Sequence, residues 1–177
     1  PAAQQALLDA AKALAIQSGL TFQLFDFATG QVVTRTVAQV INNLAQRGIP
    51  LLVGALERAL AVVEFAINAD GTFHRAAPVR MVFDPTFLAS ATKEEVAAVL
   101  AHEAWHVEQL FNGINDDFTN YPRVVDIEYE AFVVGATVWD AVRGTQSDPT
   151  LDAGSAAVAQ GEARAKELLV TDFGYPT

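Results

Sequence analysis

The opening stretch AAQQALLDAAKALAIQSG puts Leu7, Leu8, Ala11, Leu14 and Ala15 on one face of a helix, with Gly19 suited to its end. LTFQLFDF and QVVTRTV then alternate or run apolar on either side of Ala28-Thr29-Gly30, a pattern that predicts a hairpin. AQVINNLAQRG returns to helical spacing and stops at Gly48, and Pro50 is placed to open another helix from Leu51 to about Ala61. VVEFAI and TFHR, joined by Asn68-Ala69-Asp70-Gly71, predict a second strand–turn–strand unit, and PVRMVFD a further strand stopped by Pro85.

The clearest helix start follows. Thr92 with Glu95 three residues on is a capping box, and Glu94 and Glu95 favour the positive end of the helix dipole. Nothing breaks that helix before Asn112-Gly113. After the polar loop INDDFTNYP, a long helical pattern runs from about Val124 to Arg143, and a last helix is expected from Thr150 to Val170. Strands mixed with helices, then helices alone, is an α+β layout. No linker rich in Gly, Ser or Pro divides the chain, so one domain is expected over 1–177, with a mixed part to about 91 and a helical part beyond. The longest apolar stretch, PLLVGALERALAVVEFAI, carries Glu57, Arg58 and Glu64, which argues against membrane insertion.

Composition narrows the chemistry. A net charge of −10 without clustered Lys or Arg argues against a nucleic-acid partner. The chain has no cysteine, so any metal must be held by His, Asp or Glu. A start at Pro1 fits a processed or excised product.

Two of the three histidines lie in H102-E103-A104-W105-H106, inside the best-capped helix. One turn apart, His102 and His106 share a face and can converge on one ion. Glu103, roughly 100° further round, can reach a water bound to that ion and act as its general base. Two histidines leave a zinc site one protein ligand short. Candidates for the third are His74 or a carboxylate of DIEYEAFVVG, namely Asp126, Glu128 or Glu130. A third histidine is absent from the turn after the motif: positions 109 and 112 are Gln and Asn. Trp105 is expected to pack against a neighbouring segment, and Leu100, Val107, Leu110 and Phe111 to be core.

HEAWH followed one helix later by E130-A131-F132 resembles the gluzincin group of zincin metallopeptidases, over about residues 79 to 143. The resemblance implies a zincin-like fold: a small mixed or antiparallel sheet packed on the motif helix, then further helices. It implies one Zn2+ per chain held by His102, His106 and Glu130, with Glu103 as catalytic base and a peptide or protein as substrate. Glu128 is the rival ligand, since the two glutamates point about 200° apart and only one can face the metal. Asp126, one turn before Glu130, is a candidate to orient an imidazole N–H. Val79, Arg80, Met81, Val82 and Phe83 are placed, by the same resemblance, as an edge strand that pairs with the substrate. Larger gluzincins supply an oxyanion-stabilising His or Tyr from a later subdomain. No histidine follows His106 here, so Tyr121, Tyr129 and Tyr175 are the candidates, Tyr121 first.

Two other readings compete. A zincin-like domain could bind zinc for structure or interaction and cleave nothing. A di-iron carboxylate helical protein would use Glu103-x-x-His106 as one half-motif, but no second half exists, and the strand signals disfavour a bundle.

Overall fold

The structure, a computed structural model, describes residues 2–26, 29–112 and 122–176. It is α+β, with seven helices and two small sheets among those residues. Helix α1 (Ala2–Gln17) buries Leu8, Ala11 and Ala15 along the expected stripe, and Gly19 turns the chain out of it at φ +67°. Strands β1 (Thr21–Asp26) and β2 (Gln31–Thr36) form the expected antiparallel hairpin, in register from Thr21 opposite Thr36 to Asp26 opposite Gln31. β2 leads directly into α2 (Val37–Gln46), where Thr36 and Gln39 form a reciprocal capping box.

The next segment corrects the expected helix from Leu51 to Ala61. β3 (Leu51–Val53) pairs parallel to β5, and the chain then loops to β4 (Ala61–Glu64). Gly54 accounts for part of this: a Cβ there would stand 3.1 Å from Val82 Cγ1, and its N–H donates to the Phe83 carbonyl at 3.0 Å. The backbone lies too close on β5 for a helix. Asp84 fixes the loop, accepting from the Leu56 N–H at 3.0 Å while its own N–H donates to the Leu60 carbonyl at 2.9 Å.

The turn at Asn68–Gly71 forms, with Gly71 at φ +86°, but TFHR contributes only an isolated bridge, Ile67 opposite Phe73. β5 (Arg80–Phe83) lies between β3 and β4, parallel to the first and antiparallel to the second. The sheet is mixed, and Val79 to Phe83 are not an edge: the strand at the end of the sheet toward α4 is β4. Pairing on both sides and burial of Met81, Val82 and Phe83 make β5 a core strand. A short helix not foreseen in the sequence, α3 (Pro85–Ser90), starts at Asp84, whose carboxylate accepts from the Thr86 and Phe87 N–H groups.

Helix α4 (Lys93–Phe111) opens on the Thr92–Glu95 capping box and ends at Asn112, as expected. It is apolar on nearly every side, burying Val96, Ala97, Leu100, Ala101, Ala104 and Val107. Such a helix belongs in the middle of a fold, and α1, α2, β4 and α5 surround it. Trp105 is buried edge-on to Phe22 of β1, the ring centres 5.8 Å apart. Glu108, also fully buried, accepts from Asn43 Nδ2 at 2.7 Å and pairs with Arg47 and, at 3.6 Å, with Arg35 Nε. A buried carboxylate needs such partners, and these tie α2 and β2 to α4.

Helix α5 (Pro122–Val142) packs along α4. The single last helix expected from Thr150 to Val170 is two, α6 (Pro149–Ala159) and α7 (Glu162–Thr171), parted at Gly161 with φ +106°. The main core runs from Leu8 of α1 to Val138 of α5, and a smaller cluster joins Ala157, Ala165 and Leu168 to Tyr129 and Phe132. Among the described residues no helix is long and apolar enough to cross a membrane.

Candidate metal centre

His102 and His106 project from one face of α4, their rings edge-on with centres 4.8 Å apart and their Nε2 atoms 3.1 Å apart. The carboxylate that meets them belongs to Glu128 of α5. Its Oε2 lies 3.6 Å from His102 Nε2 and 3.4 Å from His106 Nε2. Among the described residues these three form the one group of His, Asp and Glu side chains placed to share an ion. Ligands bound tetrahedrally at roughly 2.0–2.1 Å would stand about 3.3 Å from one another, close to the separations here. Glu128 Oε2 is also buried and makes no hydrogen bond. A buried oxygen of this kind calls for a cation. Donor chemistry, spacing and the unsatisfied oxygen all fit a divalent metal, and the absence of thiolates leaves an N2O set of the kind zinc accepts.

Glu130, the ligand implied by the resemblance, faces elsewhere. Its Oε2 accepts from Gln109 Nε2 at 3.0 Å, and the same amide nitrogen donates to the Ile127 carbonyl at 3.0 Å. With its NH2 committed to two acceptors, Gln109 must turn Oε1 toward His106, whose Nδ1 lies 2.8 Å away. In the neutral ring Nδ1 then carries the proton and Nε2 is left with its lone pair toward Glu128 and His102. Gln109 thus orients the imidazole, the role for which Asp126 was a candidate. Asp126 instead lies exposed and pairs with Lys166 Nζ at 2.5 Å. Gln109 was visible in the sequence only as a position that is not histidine. Its signal was its place three residues after His106, on the same face of an otherwise apolar helix.

The choice between the glutamates follows from the face of α5 that meets α4. At Gly135 the helices approach so closely that a Cβ would stand 3.2 Å from both the Ala98 carbonyl oxygen and His102 Cβ. Glu128 precedes Gly135 by two turns and shares its face, whereas Glu130 is about 140° away. His74 is exposed and outside the group. Tyr121 falls outside the described residues.

Electrostatics at the centre are those of a tight ion pair. Burial alone would lower the His106 imidazole, but Glu128 against it, with Glu103 and Gln109, raises it from 6.5 to about 9. Burial alone would raise the Glu128 carboxyl, but His102 and His106 hold it far below the usual carboxylate range.

Glu103 is buried at the base of a cleft and lines two adjoining cavities, of about 250 and 320 Å³, together with His102, Ala59, Ala61 and Tyr175. Val62 and Val63 of β4 line the larger one. Tyr175, which follows α7, reaches this point because Gly174 turns the chain at φ +74°. Burial pushes its phenol above the ordinary range, and the charges of Glu128 and Glu103 add to that, so the hydroxyl keeps its proton. Tyr129 lies away from the cleft, with Lys166 over its ring. The chain matches no protein-family model, no curated protein and no solved structure.

Proposed function

We propose that this protein is a zinc-dependent metallopeptidase that hydrolyses peptide bonds. The observation that carries the reading is the convergence of His102, His106 and Glu128 on one point, with Glu103 beside them in an open cleft. One Zn2+ held there would polarise the scissile carbonyl and lower the pKa of water. His102, His106 and Glu128 would supply the protein ligands, and Gln109 keeps the His106 ring turned to that point. Glu103 takes the proton of the attacking water and returns it to the departing amine. Tyr175, protonated and facing the cleft, is placed to donate a hydrogen bond to the oxygen that gains charge as the carbonyl is attacked. The outer edge of β4, unpaired among the described residues, offers main-chain groups along which an extended peptide can lie. A mixed sheet whose β4 packs on the motif helix, and a ligand helix packed on that same helix, also accord with a zincin-like layout.

The test is metal analysis combined with cleavage of an unfolded protein. About one zinc per chain is expected, with Glu103→Gln losing roughly 10²-fold or more in turnover while retaining the metal. Two irons would overturn the reading. Zinc with no cleavage by the wild type would leave a metal-binding domain without peptidase activity.

A further inference from the structure

The cleft has two unequal sides, and the smaller holds information about substrate. The 250 Å³ cavity opens beside His102 and Glu103 and runs between the loop before β4 and helices α5 and α6. Its walls are Leu60, Phe132, Ala136, Leu151, Leu169 and Phe173. Gly135 and Gly154 line it as well, and each lets a neighbour pack close: a Cβ would stand 3.2 Å from the Ala98 carbonyl oxygen and His102 Cβ at the first, and 2.9 Å from Phe132 Cζ at the second. Polar side chains gather at the end shared with the metal centre, where His102, Glu103 and Tyr175 stand, with Arg58 and Thr150 completing the lining. Leu60 and Phe173 are 46% and 43% exposed, two large apolar side chains of the lining left in water. Exposed apolar surface around a concave site marks a place where an apolar group is bound.

Size limits what that group can be. Pockets for whole small ligands run from about 300 to 1,000 Å³. This one falls below that range and is continuous with the reacting centre. We infer that it is the subsite for one large apolar side chain of the substrate, aromatic or branched aliphatic, on the residue next to the bond that is cut. The assignment rests on the peptidase reading. A chain lying along β4 sends one side chain into this pocket while its backbone crosses Glu103. The substrates are therefore peptides that present a bulky hydrophobic residue in an unfolded stretch, and small or charged residues at that position are cut slowly.

Two measurements test this separately. The first needs neither metal nor turnover: N-acetyl-phenylalanine amide and N-acetyl-alanine amide are titrated against the protein while methyl resonances of Leu60, Leu151 and Leu169 are followed. Phenylalanine amide is expected to shift all three saturably and to bind at least tenfold more tightly than alanine amide. Ala136→Phe, which fills the pocket from within, should lower its affinity at least tenfold. Leu60→Arg, at the exposed mouth, should lower it at least fivefold without changing the unfolding midpoint, which covers the case in which Ala136→Phe does not fold. Equal binding of the two amides, no saturable shift, or binding indifferent to Leu60→Arg would overturn the subsite. The second measurement is cleavage of a randomised peptide library. Cutting beside bulky apolar residues supports the assignment. Cutting without that preference removes the subsite and leaves the peptidase reading standing. Amide binding with no peptide cut removes the peptidase reading and the subsite role together.

Discussion

At the scale of single residues, the centre separates groups that a sequence motif treats alike. Glu128 and Glu130 are two positions apart on one helix, yet one meets both imidazoles and the other serves Gln109. Glu128→Ala should therefore weaken zinc binding far more than Glu130→Ala, by about 10²-fold or more against about 10-fold, as read by competition with a chelator of known affinity. The reverse order would return the third ligand to Glu130. His102, Glu103 and His106 were legible because i, i+4 spacing on a capped helix fixes their relative directions whatever the rest of the chain does. The phase of α5 was not legible from its own residues. It is set by the approach at Gly135, and that glycine carries meaning only once α4 is known to lie against it.

Among the elements, the signals carried by caps, by the first hairpin and by glycine breaks survived, whereas those read from periodicity alone did not always survive. Capping at Thr92, the β1–β2 hairpin and the breaks at Gly19 and Gly48 depend on neighbouring residues alone, and each occurs where the pattern places it. LLVGALERALA also reads as helical by period, but Leu51–Val53 gains a parallel partner in β5, and that pairing outweighs the local preference. Nor can periodicity reveal that β5 is central and β4 at the end, since strand order is a property of the sheet. The α4–α5 contact is where an element-scale test belongs. Gly135→Val would force branched methyls into a gap where even one carbon stands 3.2 Å from two atoms of α4. The expected result is a loss of about 1–3 kcal/mol in unfolding free energy. Weaker zinc binding should accompany it, since Glu128 moves with α5. Gly144→Ala, where no atom lies within 4 Å of a new Cβ, tests backbone strain alone and should leave zinc affinity unchanged.

For the whole molecule, the pairing of His106 with Glu128 ties stability to pH. His106 is raised from 6.5 to about 9, so its contribution is complete below pH 6.5 and is lost as pH climbs through 9. Glu128 is held below its ordinary 4.5, so its contribution is complete above pH 4.5 and is lost as pH falls toward its lowered value. With chelator present, the urea midpoint should be highest between about pH 4.5 and 6.5 and should decline from 6.5 to 9, and His106→Gln should flatten that decline. A wild-type midpoint indifferent to pH over the alkaline range would contradict the pairing. The same arrangement bears on the order of assembly. Helix α4 is enclosed by α1, α2, β4 and α5, and the Glu108 network that ties it to α2 and β2 includes none of the three candidate ligands. A proton on His106 can balance Glu128 when no ion is present. The scaffold thus stands without an ion, and on the reading proposed above zinc would enter a finished socket as an exchangeable guest, competing with a proton for the place.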